Sequence, residues 1–132
     1  MPNFPRTDLA VEAEALRSAA TAAQLPGVRA VQTQRRGFPV TQVEVLDAAG
    51  SEALCKPIGR YDTLDLTPLL RRADDAFENA AQTLSELLRA ALPLMPEASV
   101  LVVGLGNRAI TPDAVGPDAM QSVLVTRHLR AQ

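Results

Sequence analysis

The segment from Ser99 to Pro117 constrains this chain more than any other, because an apolar run meets two glycines, a proline-preceded aspartate and a helix start within nineteen residues. Ser99-Val100-Leu101-Val102-Val103 is short, rich in β-branched residues and without polar alternation, which predicts a strand covered on both faces. Such a strand belongs in the middle of a parallel sheet. Gly104 and Gly106 follow at its carboxyl end, where missing Cβ atoms permit positive φ and close approach by another group. Pro112 disfavours helical geometry at Thr111 and is expected to keep the segment before Asp113 extended. Gly116-Pro117-Asp118 then opens a helix, with Pro117 in the first turn and Asp118 favourable to the dipole. Val115, Ala119, Met120, Val123 and Leu124 form its apolar stripe. Open α/β sheets bind ligands at the carboxyl ends of their strands. The expected fold is therefore α/β, a partial parallel or mixed sheet flanked by helices, with a site between Gly104 and Pro117.

The glycines admit several chemistries on their own. A dinucleotide fingerprint needs a third small residue opening the helix at close spacing; Ala109 stands there, and the helix begins several residues later. A phosphate loop needs Gly-Lys-Ser/Thr, a tripeptide the sequence does not contain. A tight turn followed by a solvated aspartate is the plain structural alternative.

Upstream, Leu9 to Ala23 is alanine-rich with Leu9, Ala13, Leu16 and Ala20 at helical spacing, and Pro26-Gly27 ends it. Val28 to Gln34 and Val40 to Leu46 alternate around Arg35-Arg36-Gly37-Phe38-Pro39, a hairpin signal. Asp47-Ala48-Ala49-Gly50 reads as a second turn, with Ser51 capping a short helical piece that ends near Lys56-Pro57. Tyr61 to Leu66 leads into a long helix from about Pro68 to Leu92, whose buried stripe is expected at Leu69, Leu70, Ala73, Phe77, Ala80, Leu84, Leu87, Leu88 and Ala91. With neither internal repeats nor a low-complexity linker, residues 1–132 read as one domain.

Composition narrows the function classes. An apolar fraction of 47% with 21% charged residues is ordinary for a globular chain. A net charge of −2 and a pI near 5.3 argue against direct contact with nucleic acid, since phosphate neutralisation needs clustered Lys and Arg. Arg35-Arg36 reads as a solvated hairpin edge. The single cysteine, Cys55, fits a reducing compartment, and its only possible histidine partner for thiol catalysis, His128, is distant in sequence. With neither a signal peptide nor an apolar stretch of membrane-spanning length, a cytoplasmic protein without a membrane partner is expected.

Three ordered blocks carry a resemblance. Val102-Val103-Gly104-Leu105-Gly106-Asn107, Thr111-Pro112-Asp113-Ala114-Val115-Gly116-Pro117 and Val125-Thr126-Arg127-His128-Leu129 together resemble the signature of the germination proteases. Arg6 to Ala13 is similar to that family's amino-terminal motif, and Ile58-Gly59-Arg60-Tyr61-Asp62-Thr63-Leu64 to its Gly-Arg/Lys-Tyr-x-Thr-Leu segment. The resemblance covers essentially the whole chain but only the amino-terminal portion of a normal family member. It implies an endopeptidase that degrades small acid-soluble spore proteins during germination, inside the spore or forespore, with neither cofactor nor metal.

The resemblance also implies roles for residues. The family is regarded as an atypical aspartic-type protease using two aspartates; the first falls on Asp113, in a loop formed by Gly104, Gly106, Asn107, Thr111 and Pro112. The second belongs to a later segment. Peptide hydrolysis by a carboxylate pair needs one ionised and one protonated member, their pKa values split by mutual repulsion. A lone aspartate near its reference pKa of about 3.9 does neither task well at neutral pH. Residues 1–132 alone are thus expected to be inactive, and the missing strand after the last helix to favour association with another copy. Family members are zymogens, and Asp8-Leu9-Ala10-Val11-Glu12 resembles their self-cleavage site. This makes residues 1–8 a candidate propeptide cut between Asp8 and Leu9, where a helix cap is the plain reading of Asp8. Arg127 and His128 read as cations at a helix carboxyl end, and Asp118 as a first-turn residue. Two alternatives stand beside this reading: a hydrogenase maturation-type protease, whose fold the germination protease fold resembles and in which Asp113 would contact metal, and a scaffold without enzymatic activity.

Overall fold

The computed structural model describes residues 9–21, 25–71, 74–92, 94–95 and 98–125, and omits the side chains of residues 16–21. The chain divides into two units, Met1–Pro93 and Leu94–Gln132.

The first unit is built on the hairpin that the alternation announces. Strand β1 (Val28–Arg35) pairs antiparallel with β2 (Phe38–Val45), from Val28↔Val45 to Arg35↔Phe38. Only Arg36 and Gly37 connect them, both with positive φ (48° and 82°), the backbone of a tight primed turn that matches strand twist. The turn is thus shorter than the five residues the sequence sets aside for it, and Phe38 and Pro39 belong to β2. A third strand, β3 (Gly59–Leu64), pairs antiparallel with β2 from Val40↔Leu64 to Val45↔Gly59. The sheet is a three-stranded antiparallel meander, β1-β2-β3. This corrects the expected parallel or mixed sheet.

Two helices cover one face of β2. Helix α1 (Ala10–Thr21) brings Ala10 and Ala13, and α2 (Ala48–Leu54) brings Leu54, onto Val43 and Val45; Val11, Leu25, Val28 and Tyr61 pack around them. Val43 is fully buried, and removing a Val or Leu side chain from water contributes about 2 kcal/mol. Helix α2 starts earlier than Ser51. Asp47 is its N-cap, extended, with Oδ1 accepting from the Gly50 N–H at 2.9 Å, so Asp47-Ala48-Ala49-Gly50 is a cap and first helical turn.

Side chains alternate along a strand, so Phe38 and Val40 face opposite to Val43 and Val45, yet all four are buried. On the Phe38 and Val40 face, the far end of the sheet carries charge instead: Arg29 pairs with Glu44, Gln42 Nε2 donates to Glu44 Oε1 at 2.7 Å, and Arg60 pairs with Asp62 at 2.8 Å.

The long helix expected from Pro68 to Leu92 is two elements. Thr67–Arg71 is a 3-10 turn, started by the Asp65 carboxylate, which accepts the Thr67 N–H at 2.8 Å. Thr67 holds the Asp65 carboxyl below its ordinary range, first through its side chain and then through its N–H. Helix α3 (Ala76–Ala91) begins after Asp75, whose φ of 64° breaks the helical path; a short polar side chain tolerates that conformation better than most. The buried stripe of α3 is Ala80, Thr83 and Leu87. Leu70, Phe77, Leu84 and Leu88 are exposed, contrary to the stripe expected from periodicity, and Ala73 lies outside the described residues. Periodicity finds every apolar position on a helix, whereas burial follows only where a neighbour covers it. Thr83 is buried because its hydroxyl donates to Asn79 O at 2.7 Å. Arg36 reaches Glu86 of α3 at 2.8 Å, so the hairpin tip is tied to the helix and not merely solvated.

In the second unit, Ser99–Val103 has no strand partner among the described residues, and Val100, Leu101, Val102 and Val103 are exposed, Leu101 at 87%. This overturns the expected buried central strand. A β-branched run is extended by preference, but it becomes sheet only where a second edge supplies hydrogen bonds. Helix α4 (Val115–Gln121) follows the glycine loop, starting one residue before Gly116. Its expected apolar stripe is mostly in solvent: Val115, Ala119, Val123 and Leu124 are exposed, and Met120 is half-buried. Residues 123–125 are not helical, so α4 stops before the position expected for its last turn; Arg127 and His128 lie outside the described residues. No helix among the described residues is long and apolar enough to cross a membrane.

Candidate active site

Gly104, Gly106, Asn107, Thr111, Pro112 and Asp113 come together in one loop, as the sequence leads one to expect. Backbone contact shapes it. A Cβ on Gly104 would overlap the Gly116 carbonyl oxygen, one on Gly116 would overlap that of Leu105, and one on Gly106 would overlap that of Asp113. Three glycines therefore let the two limbs of the loop lie main chain against main chain. Gly106 carries a second requirement, a φ of 144° that other residues rarely adopt.

Hydrogen bonds close the loop across that contact. Asn107 N–H donates to Asp113 O at 3.1 Å, Ile110 N–H to Asn107 O at 3.0 Å and Asp113 N–H to Ile110 O at 2.9 Å. The Asn107 side chain accepts the Ala109 N–H at 2.9 Å. Thr111–Asp113 is a 3-10 turn with Pro112 in its first positions, so the extended residue is Ile110 (φ −120°, ψ 106°) and not Thr111. Proline's fixed φ suits a helical first turn, and its missing N–H costs nothing there, which outweighs its restriction on the residue before.

The result is an exposed Asp113 whose main chain is bonded on both sides. Its carboxylate has no hydrogen-bond or ion-pair partner among the described residues. Asp118 does: it sits in the first turn of α4 and pairs with Arg108 at 3.4 Å, while Arg108 Nη2 donates to Pro117 O at 3.3 Å. Arg108 thus bridges the loop to the helix start. The pair lies ten positions apart across a 3-10 turn and a helix start, so no single helix or strand joins its members and the sequence gives no signal for it. Among the described residues, no three His, Cys, Asp or Glu side chains gather as metal ligands would.

At the other candidate position, Leu9 is half exposed and immediately precedes α1, its carbonyl accepting the Ala13 N–H at 3.1 Å. Asp8 lies outside the described residues. Cys55 terminates α2 in a left-handed conformation (φ 53°), exposed, with Sγ 3.7 Å from Glu52 O.

An α/β protein with a glycine-clasped loop presenting one carboxylate is the class defined by these features. The germination protease family model matches residues 5–132. Curated germination proteases are similar along the same span: that of Caldanaerobacter subterraneus subsp. tengcongensis is 40% identical over 95% of this chain, that of Clostridium tetani 38% over 95%, and that of Priestia megaterium 36% over 94%. The chain belongs to the germination protease family. It spans 38%, 39% and 35% of the length of those three relatives. The match favours this family over the hydrogenase maturation proteases, a likeness that neither the antiparallel sheet nor the relatives support.

Proposed function

We propose that this chain is the amino-terminal portion of an endopeptidase that degrades small acid-soluble spore proteins in the germinating spore, with Asp113 as one member of a catalytic aspartate pair. The observation that carries this reading is the exposed Asp113 carboxylate, unpartnered among the described residues and carried on a loop whose main chain is fixed. A carboxylate so held is free to act on a substrate or on a second carboxyl group. In the pair, one ionised member takes a proton from the attacking water while the protonated member polarises the amide carbonyl and then protonates the leaving nitrogen. Gly104, Gly106, Asn107, Thr111 and Pro112 shape the loop, and neither metal nor cofactor takes part.

The test is digestion of a small acid-soluble spore protein by the protein as the organism makes it. Asp113→Asn is expected to lower kcat by about a hundredfold or more, with chelators lacking effect. Wild-type turnover by that variant ends the assignment, and restoration of activity by added metal revives the metal-contacting alternative. Residues 1–132 purified alone hold only one carboxylate of the pair and are expected to give no turnover. The exposed run from Val100 to Val103 is expected to drive their self-association, read as mass by light scattering; a monomer at all concentrations contradicts this.

The cut between Asp8 and Leu9 belongs to the same proposal. Ala10 is buried in the first turn of α1, and proteases bind their substrates extended, so processing requires that turn to unwind. Amino-terminal sequencing after acidification should begin at Leu9; any other start refutes this site.

A further inference from the structure

We propose that Asn107 is a positioning residue for Asp113, acting through the loop main chain. Each polar group of Asn107 with a partner is spent inside this loop. Its N–H bonds the Asp113 carbonyl at 3.1 Å, its carbonyl accepts from Ile110 N–H at 3.0 Å, and its side-chain oxygen accepts from Ala109 N–H at 2.9 Å. The first bond closes a ring from residue 107 to residue 113. The second reaches Asp113 again through Ile110, whose carbonyl takes the Asp113 N–H at 2.9 Å. Asp113 is thus fixed on its donor and on its acceptor through the main chain of residue 107, and what the asparagine side chain adds is the acceptor that holds the Ala109 N–H and so sets the turn between residues 107 and 110.

Gly106 makes the ring possible, since a Cβ there would occupy the position of the Asp113 carbonyl oxygen that the Asn107 N–H bonds. The amide also suits the charge of the site. A side-chain acceptor at 107 is needed for the Ala109 N–H, and an amide supplies it without placing a second negative charge on the loop that carries Asp113. A carboxylate at 107 would keep the acceptor.

This inference rests on Asp113 being a catalytic carboxylate, and its test separates the two claims. In the protein as the organism makes it, Asn107→Ala is expected to lower kcat on a small acid-soluble spore protein by about ten- to a hundredfold with KM unchanged, the signature of a misplaced reacting group. Amide hydrogen exchange at Ala109 should accelerate by about tenfold, the loss of one hydrogen bond. Asn107→Asp retains the acceptor and is expected to restore slow exchange at Ala109 and most of kcat. Joint recovery of kcat and of protection at Ala109 in this conservative variant is the readout that ties the side-chain acceptor to the placing of Asp113. Wild-type kcat in Asn107→Ala, beside an inactive Asp113→Asn, overturns the positioning role and leaves the carboxylate standing. Full activity in Asp113→Asn overturns the carboxylate and, with it, this inference. Should Asn107→Ala lose exchange protection throughout residues 98–125, Asn107→Asp decides: impairment equal to that of the alanine variant refutes the role of the acceptor.

Discussion

The two units of this chain keep their shape by different means. Residues up to 93 close over a core in which Val43, Val45 and Leu54 are all but removed from water. Residues from 94 onward place Leu101, Leu105 and Leu124 almost wholly in solvent, yet hold a sharply defined loop through glycine contacts and main-chain hydrogen bonds. The first arrangement is stabilised by area, and it tolerates changes that leave the area buried. The second is stabilised by geometry, and it tolerates almost nothing at three glycines while being indifferent to its largest side chains. A site needs the second kind of order, because a carboxylate must be held in place and also left accessible.

The contrast can be broken at its strongest point first. Leu54→Ala empties a buried position and should cost about 3 kcal/mol in chemical denaturation, whereas Leu101→Ala should stay within about 0.5 kcal/mol. Equal losses would mean that the second unit has a buried core after all. Asp47→Ala removes the cap of α2 and is expected to cost about 1 kcal/mol by the same measurement; no change would show that the helix is held by Leu54 alone. Arg108→Ala breaks an exposed pair, worth a few tenths of a kcal/mol, and thermal melts should barely move. A large loss there would make the loop depend on charge and not on main-chain closure.

The smallest effect concerns the tie between Arg36 and Glu86. The Arg36 hydrogen bond holds the Glu86 carboxyl below its ordinary value of 4.5. A depressed carboxyl contributes stability above its unfolded-state pKa, and that contribution is lost as pH falls through the folded value. Melting temperatures of the wild type and Glu86→Gln should therefore differ slightly near neutrality and converge below pH 4.5. Divergence on acidification, or a difference insensitive to salt, contradicts the assignment.

Where structure follows from neighbours in sequence, the sequence is a good guide. The alternation on either side of Gly37 locates the hairpin, and the alanine-rich stretch before Pro26-Gly27 contains α1. The loop from Gly104 to Asp113 is equally local, and its members are legible one by one. Errors begin where an outcome depends on a distant surface. The strand at Gly59–Leu64 is easily passed over because Arg60 and Asp62 look like a polar linker until they are seen as the charged row of a strand whose other row holds Tyr61. Val100 to Val103 has every intrinsic quality of a buried strand and has no edge to pair with among the described residues. Phe77 and Leu88 have the spacing of a core stripe but no covering neighbour among the described residues. The bridge from Arg108 to Asp118 could not be read at all, since nothing in a ten-residue separation says that a loop folds back on the helix that follows it.

Everything that fixes Asp113 passes through its peptide groups, and nothing among the described residues leans on its carboxylate. Exchanging that carboxylate for an amide should therefore leave the architecture untouched. Under the function proposed above, an Asp113→Asn protein is expected to bind a spore protein without cutting it.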